Sequence, residues 1–440
     1  MRFLSTRGEA PAASVDDAIL SGLAPDGGLY VPESLPRIIS DWRRPPQDHY
    51  PEYCAAALAS FFENSVLERA LAEICRRAFT FDPALTGADE GRPARLELFH
   101  GPTAAFKDFG AQFLAQCLAR NPPAPDDARP ALVVTATSGD TGAAAAAALD
   151  RAPGLGAVIL FPKGRVSEFQ ERQLSCWSPR ILSLRVAGDF DDCQRIAKEL
   201  FAHGALRRRF RLTSANSINI ARILAQVPYF AQAAAQTFLA ANAPANIIVP
   251  TGNLGNALAC IWAREMGAPI GRIVLATNKN ATIAEFFASG GYVPRASVRS
   301  LATAMDVGAP SNMERLRRLY PDLPQEAHGL AAFRATDEAI SKTLETVYAR
   351  SGEIVCPHTA AAYSAYYNIP LAEHKKPWIV AATAHPYKFR ETLEPLLGVK
   401  IGPPAQLAEI LNKSAHFQDI APDAESAREM IENYFADVTL

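Results

Sequence analysis

Lysine is scarce in this 440-residue chain: 10 of its 44 basic residues are lysine and 34 are arginine. Few amines are therefore available for chemistry that needs a nitrogen nucleophile. Neither sign of charge dominates, with 46 acidic residues against 44 basic ones and a formal net charge of −2. That balance argues against a general nucleic-acid binder or an anionic-membrane binder, both of which are usually basic. The seven cysteines (Cys54, Cys75, Cys117, Cys176, Cys193, Cys260 and Cys356) are widely spaced, odd in number and form no C-x-x-C pair. They read as buried thiols in a reducing compartment, with no disulfide framework and no metal site. No apolar run approaches the roughly 18 residues that a membrane span requires. The opening MRFLSTRGEAP lacks the apolar core and cleavage site of a secretory signal. The expectation is a cytoplasmic globular protein of two or three domains.

Short apolar runs alternate with longer helical stretches. Residues 131–136 (ALVVTA), 157–161 (AVILF), 181–186 (ILSLRV), 246–249 (NIIV), 272–277 (RIVLAT) and 378–382 (WIVAA) read as strands. Alanine-rich or amphipathic segments at 142–149, 191–201, 220–239 and 254–266 read as helices between them. This alternation predicts an α/β fold with parallel sheets covered by helices. Residues 1–95, rich in Pro and with helical stretches such as 53–77, form a separate, mostly helical N-terminal unit. Residues 121–130 (NPPAPDDARP) and 241–245 (ANAPA) are loops. The RRRFR cluster at 207–211 reads as a solvated helix end.

In open parallel sheets, ligands bind beyond the carboxyl ends of the strands, and three segments there can carry chemistry. In NIIVPTGNLGNALA (246–259), a strand runs through Gly252 and Gly255 into a helix. Glycines permit close backbone approach, and the helix start offers unpaired N–H groups, which together make a phosphate cradle. An ordinary strand–turn–helix connection would look the same. Neither G-x-G-x-x-G nor G-x-x-x-x-G-K-[ST] is present, which weakens dinucleotide and nucleoside triphosphate readings. TATSGDTG (135–142) is a second such junction, able to hold an anion or simply to N-cap its helix through Ser138 or Asp140. In FHGPTAAFKDFGAQ (99–112), Lys107 lies between Phe106 and Phe109. A partly desolvated lysine is a nucleophile or Schiff-base former, although a helix lysine paired with Asp108 is the plainer reading. An amine nucleophile with a phosphate cradle suggests pyridoxal 5′-phosphate.

The segment FHGPTAAFKDFGAQF resembles the cofactor-lysine segment of the threonine synthase family, within the fold-type II (tryptophan synthase β-like) pyridoxal-phosphate enzymes. The resemblance runs nearly end to end. It includes LSTRG (4–8), GLAPDGGLYVP (22–32), SGDTG (138–142), FPKGRVSEFQERQ (161–173) and GDFDDCQ (188–194). NSINIARI (216–223), PTGNLGNALA (250–259), MDVGAPSNMER (305–315), PHTAAAY (357–363) and TAHPYKF (383–389) follow in order.

The resemblance implies an N-terminal family domain over 1–95, a large cofactor-binding domain over 96–120 and 213–440, and a small mobile α/β domain over 121–212. It implies that Lys107 binds the cofactor aldehyde, that Gly252, Asn253, Leu254, Gly255 and Asn256 hold its phosphate, and that Thr383 faces the ring nitrogen. Ser138, Gly139, Asp140 and Thr141 match the substrate loop, and Lys163, Asn216, Asn219 and Arg222 are implied neighbours of the substrate's anionic groups. His385 either joins the site or bonds a loop, and the lysines other than Lys107 and Lys163 are expected at the surface. The implied reaction converts O-phospho-L-homoserine and water into L-threonine and phosphate, with no metal, in a monomer or homodimer. Two departures stand out: Cys356 replaces the family's usual acidic residue, and Ile220 occupies a position where an aromatic or proline is common. Two alternatives stay open. One is a related lyase: a phospho-lyase, a serine or threonine dehydratase, or a β-replacement enzyme such as cysteate synthase. The other is a non-catalytic phospholigand-binding relative.

Overall fold

The protein, as a computed structural model, is described over residues 1–37, 49–87, 91–121, 127, 129–324, 327–436 and 438. Its fold is α/β, with two separate sheets of mainly parallel strands. The larger has the order Leu330–Arg334, Ile270–Thr277, Ala245–Pro250, Trp378–Ala382, Ala94–Glu97, Ala84–Thr86. All its neighbours run parallel except the last pair. The smaller has the order Gln418–Ile420, Ile181–Val186, Leu155–Pro162, Ala131–Ala136, Arg211–Ser214, parallel throughout. The central strands read as unbroken apolar runs because both faces are covered; Ala131–Ala136, Leu155–Pro162 and Ala245–Pro250 are buried at every residue.

All six expected strands form. Three strands at the margins differ from the sequence reading. Ala94–Glu97 and Ala84–Thr86 belong to the larger sheet, although 1–95 was expected to stand apart. Gln418–Ile420 pairs with Ile181–Val186, so the chain returns from the 213–440 segment to complete the smaller sheet. The expected helix 220–239 is two helices, Ile220–Leu224 and Val227–Ala241. Pro228, in the first turn of the second, lacks the N–H that a continuous helix would use. The stretch 53–77 likewise divides into helices Tyr50–Leu58 and Leu71–Ala78 with short 3₁₀ turns at Ala59–Phe61 and Glu68–Ala70. Of the loop 121–130, residues 122–126 and 128 lie outside the described residues. Arg207 and Arg208 are exposed at the end of helix Gly204–Arg209, as expected of a solvated helix end. All seven cysteines are buried and free.

Two close approaches position the site. Helix Asp140–Asp150 packs against helix Lys107–Arg120, and its run of alanines is buried. Small side chains let the two backbones approach. On its other side the helix is equally crowded: at Gly142 a Cβ would stand 2.4 Å from Thr137 Cγ2 and 2.6 Å from Leu174 Cδ2. The N-terminal unit is tied down by Arg315, which is fully buried. Its Nε donates to Tyr30 O (2.9 Å), Nη1 to Ser217 O (2.9 Å) and to Asn312 Oδ1 (2.7 Å), and Nη2 to Ile218 O (2.6 Å). Replacing Arg315 by Met removes all four hydrogen bonds and costs the buried acceptors Tyr30 O and Asn312 Oδ1 this partner, which carries a desolvation penalty. Arg315→Met is therefore expected to lower unfolding stability by about 2–4 kcal/mol. Urea unfolding followed by tryptophan fluorescence measures this, and a change below about 0.5 kcal/mol contradicts the assignment.

Candidate active site

The carboxyl ends of the two sheets meet at one cavity. From the larger sheet, strand Ala245–Pro250 leads into the loop 251–254 and helix Gly255–Glu265. Pro250, Thr251, Gly252, Asn253, Leu254, Gly255 and Asn256 all line the cavity. Gly252 is required by crowding, because an added Cβ would stand 2.7 Å from Met305 Cα. Leu254, at φ 61°, takes a left-handed conformation that turns the chain into the helix. This is a costly position for a branched residue. The loop is held from behind by residues 311 and 312. Asn253 Oδ1 accepts from Ser311 N (2.5 Å), Asn253 O accepts from Asn312 Nδ2 (2.8 Å), and Asn253 Nδ2 donates to Ser217 Oγ (2.8 Å). The block MDVGAPSNMER thus braces the glycine loop.

From the smaller sheet, strand Ala131–Ala136 leads into 137–139 and helix Asp140–Asp150. Ser138 and Asp140 do not cap this helix. Thr137 Oγ1 does so, accepting from Gly139 N and Gly142 N, each at 2.9 Å. Ser138, Asp140 and Thr141 are left facing the cavity, and Gly139, at φ 138°, makes the turn that carries them. Asn216 follows strand Arg211–Ser214, also lines the cavity, and donates through Nδ2 to Ala136 O (2.7 Å).

Lys107 opens helix Lys107–Arg120 and faces the cavity. Its Nζ is 4.6 Å from the Phe106 ring centre and 3.8 Å from Asp140 Oδ2. Asp108 is not its partner: that carboxylate accepts from Thr103 N (2.9 Å) and Thr103 Oγ1 (2.7 Å). Burial pulls the Lys107 amine down to about 8, helped by Arg222 and Lys388 and opposed by Asp140 and Cys356. Burial pushes Asp140 up, but Lys388 and Lys107 outweigh it and hold the carboxyl well below its usual range. Thr383 lies at the end of strand Trp378–Ala382, lines the cavity, and its carbonyl accepts from Phe106 N (2.8 Å). Arg222 also lines the cavity, with Nη1 donating to Ala215 O.

Two expected site residues are elsewhere. Lys163 Nζ lies 3.4 Å from Asp419 Oδ2, on the edge strand Gln418–Ile420 of the smaller sheet, and does not line the cavity. Asn219 is buried as the cap of helix Ile220–Leu224, accepting from Ala221 N and donating to Ile19 O. His385 takes the loop role: its Nδ1 accepts from Tyr387 N (3.2 Å) at the start of Pro386–Phe389. Sequence reasoning did not single out Phe190, Gln194, Met305 and His358, which line the cavity. Their signal lay inside the blocks GDFDDCQ, MDVGAPSNMER and PHTAAAY. Lys388, expected at the surface, is instead fully buried beside Asp140.

A family model described as pyridoxal-phosphate dependent enzyme matches residues 92–383. Models of the threonine synthase N terminus and C-terminal region match 2–79 and 359–431. The chain is 34% identical over 438 residues to the threonine synthase of Escherichia coli K12, covering 99% of this chain and 100% of that protein. It is 36% identical over 392 residues to that of Haemophilus influenzae, covering 89% and 90%. This chain belongs to the threonine synthase family. The crystal structure of the Escherichia coli enzyme superposes with a TM-score of 0.90 at 32% identity, covering 99% and 100%. The pyridoxal-phosphate-bound threonine synthase of Brucella melitensis gives 0.87 at 32% identity, covering 99% of each chain. Maize serine racemase, at 18% identity and a TM-score of 0.54 over 71% of this chain, shares the fold alone.

The cofactor of this family member is pyridoxal 5′-phosphate, and the cavity suits it. Asn256, in the cavity wall, has Nδ2 buried with no protein partner, a condition that an anionic oxygen relieves. The first turn of helix Gly255–Glu265 adds unpaired N–H groups and the positive end of the helix dipole. Because neutral Lys107 is the reactive form, condensation of the cofactor-free protein with pyridoxal phosphate should accelerate about tenfold per pH unit below about 8. It should level off above that point. Stopped-flow absorbance across pH 6–10 (about two units either side of the midpoint) measures this, and a profile flat to pH 9 contradicts it.

Proposed function

We propose that this protein converts O-phospho-L-homoserine and water into L-threonine and phosphate. The observation that carries the proposal is the convergence of a desolvated amine at Lys107 and a braced glycine loop at Gly252–Gly255 in one cavity. End-to-end similarity to proteins described as threonine synthases supports it.

The residues divide the work as follows. Lys107 Nζ would hold the cofactor covalently, while Gly252, Asn253, Leu254, Gly255 and Asn256 would hold its phosphate through backbone N–H groups. Thr383, which lines the cavity, would offer the ring nitrogen a hydroxyl, which would not stabilise a positive charge there as a carboxylate would. When bound, pyridoxal phosphate supplies an electron sink for charge developing on the substrate carbons. Lys107 Nζ, once free, takes the substrate's Cα proton, and its lowered basicity keeps a neutral fraction available. Ser138, Thr141 and Asn216 present hydroxyl and amide groups to the substrate's anionic groups, and Gly139 and Asp140 shape that loop. Arg222 provides a buried positive charge at the same cavity.

Residues 121–212 form the smaller, mobile unit, against a larger unit built from 96–120 and 213–440. Strand Gln418–Ile420 returns to the smaller sheet as a tether. Closure of the smaller unit would exclude bulk water until the β,γ-elimination is complete, so that one water adds at Cβ. The intact MDVGAPSNMER block, which braces Asn253, favours this reading over a simpler lyase on the same scaffold. The cytoplasm is the proposed compartment, consistent with seven unpaired thiols. A small-molecule substrate is the proposed partner, with no nucleic acid; among the described residues no helix is long and apolar enough to cross a membrane.

With O-phospho-L-homoserine, the cofactor-loaded protein is expected to release phosphate and threonine in equal amounts, read by colorimetric phosphate and amino-acid analysis. Lys107→Ala should lose the visible absorption of bound cofactor and turnover together. Release of 2-oxobutyrate, or no turnover with normal cofactor absorption, would overturn the assignment.

A further inference from the structure

Two lysines, not one, meet the Asp140 carboxylate. Lys107 Nζ approaches Oδ2 at 3.8 Å, and Lys388 Nζ approaches Oδ1 at 3.1 Å. They differ in what else they touch. Lys107 lines the cavity. Lys388 does not: its side chain is 0% exposed, and Nζ also donates to Thr103 O at 2.7 Å. An ammonium bound in this way has no free path to a ligand, so Lys388 is unsuited to covalent chemistry.

The surroundings hold Lys388 in place. His385 Nδ1 accepts from Tyr387 N and caps the short turn Pro386–Phe389 that carries it. Thr103 O is shared with Gln173 Nε2 (3.3 Å), while Thr103 N and Oγ1 are spent on Asp108. Lys388 therefore joins three pieces: the segment preceding Lys107, the end of the larger sheet, and the first residue of helix Asp140–Asp150 from the smaller sheet.

We propose that Lys388 is a positioning residue for Lys107, its buried ammonium sharing the Asp140 carboxylate so that Lys107 is never left as the sole counterion of that charge. The inference rests on the reading of Lys107 as the cofactor-binding amine. Its physical content is a charge count in a desolvated space. A buried carboxylate beside a single lysine would stabilise that lysine's charged form, and the amine would be a poor nucleophile. A second, fixed ammonium divides the carboxylate's attraction and also repels charge on Lys107. The groups facing this pair are Arg222 from helix Ile220–Leu224, His358 and Cys356 from the start of helix Pro357–Tyr367, and Asp108 from the lysine's own helix. Burial holds His358 neutral, down to about 4, and its Nε2 accepts from Ala304 N. Burial likewise raises Cys356, which keeps it an uncharged thiol where the family resemblance led to the expectation of an acid. Burial raises Asp108 to about 6, and its oxygens accept from Thr103 N and Thr103 Oγ1, so among the described residues Asp140 is the carboxylate that pairs with Lys107, and Lys388 is its other partner.

The test uses the cofactor-free full chain and pyridoxal phosphate, following condensation by absorbance across pH. In Lys388→Met, the midpoint of the rate–pH profile should move up by about one unit or more, slowing condensation at pH 7 about tenfold. Lys388→Arg, which keeps the charge, should stay near the parent midpoint. The double variant Lys388→Met/Asp140→Asn removes both charges and should also return toward the parent midpoint, which guards against misfolding of the single variant. Circular dichroism and melting check the fold of each. A parent-like midpoint in folded Lys388→Met, or an equal upward shift in all three variants, would overturn the proposal. If Lys107→Ala still condensed with the cofactor, the underlying reading of Lys107 would fail instead, so the two failures are distinguishable.

Discussion

A short antiparallel clasp between 104–106 and 383–385 is the contact on which the site depends. Phe106 N donates to Thr383 O at 2.8 Å, and His385 N donates to Ala104 O at 3.0 Å. Backbone bonds of this kind are obligatory, because neither group has water to turn to once buried. The clasp sets the start of helix Lys107–Arg120 against the end of strand Trp378–Ala382. Lys107, Thr383 and Lys388 consequently share a register that no side-chain adjustment alone could provide. Thr103 extends the clasp in one direction through Asp108 and in the other through Lys388 and Gln173.

The smaller sheet meets this fixed edge through one residue type at a time. Thr137 accepts from Gly142 N in the first turn of helix Asp140–Asp150 and from Gly139 N just before it, so the serine, threonine and aspartate after it are not consumed as caps. The division matters because a helix start needs acceptors whatever its function. Had Asp140 been the cap, its carboxylate would have been held by backbone N–H groups and lost to the lysines. The capping box of Asp189 with Asp192 does similar service two strands over. It starts helix Phe190–Ala202 in the register that aims Phe190 and Gln194 at the cavity.

The parts legible in the sequence were those whose signal is local. Buried central strands such as Leu155–Pro162 announce themselves by composition, and the glycine loop by the crowding that glycine alone tolerates. Lys107 could be nominated because its neighbours in sequence are aromatic. Gln418–Ile420 could not be read, since an edge strand of three residues with two exposed positions has no hydrophobic pattern. The break between Ile220–Leu224 and Val227–Ala241 was marked by Pro228, but alanine on either side imitated one continuous helix. Lys163 and Lys388 were exchanged for a plain reason. Both are lysines in blocks shared with the family, and only tertiary contacts reveal that one faces Asp419 on the surface while the other is enclosed with Asp140.

That exchange bears on why a chain so poor in lysine sets two of them against one carboxylate. Removing an ammonium from water is expensive unless a carboxylate and further acceptors repay it, and Asp140 with Thr103 O repays it for Lys388. Lys107 receives less: one carboxylate oxygen at 3.8 Å and an aromatic face at 4.6 Å. The unequal compensation separates two chemically identical groups into a structural cation and a reactive amine. Cys356 enters the same balance. A carboxylate at that position would add a second full negative charge beside Lys107 and favour its protonation, whereas burial raises the Cys356 thiol and so favours its uncharged form.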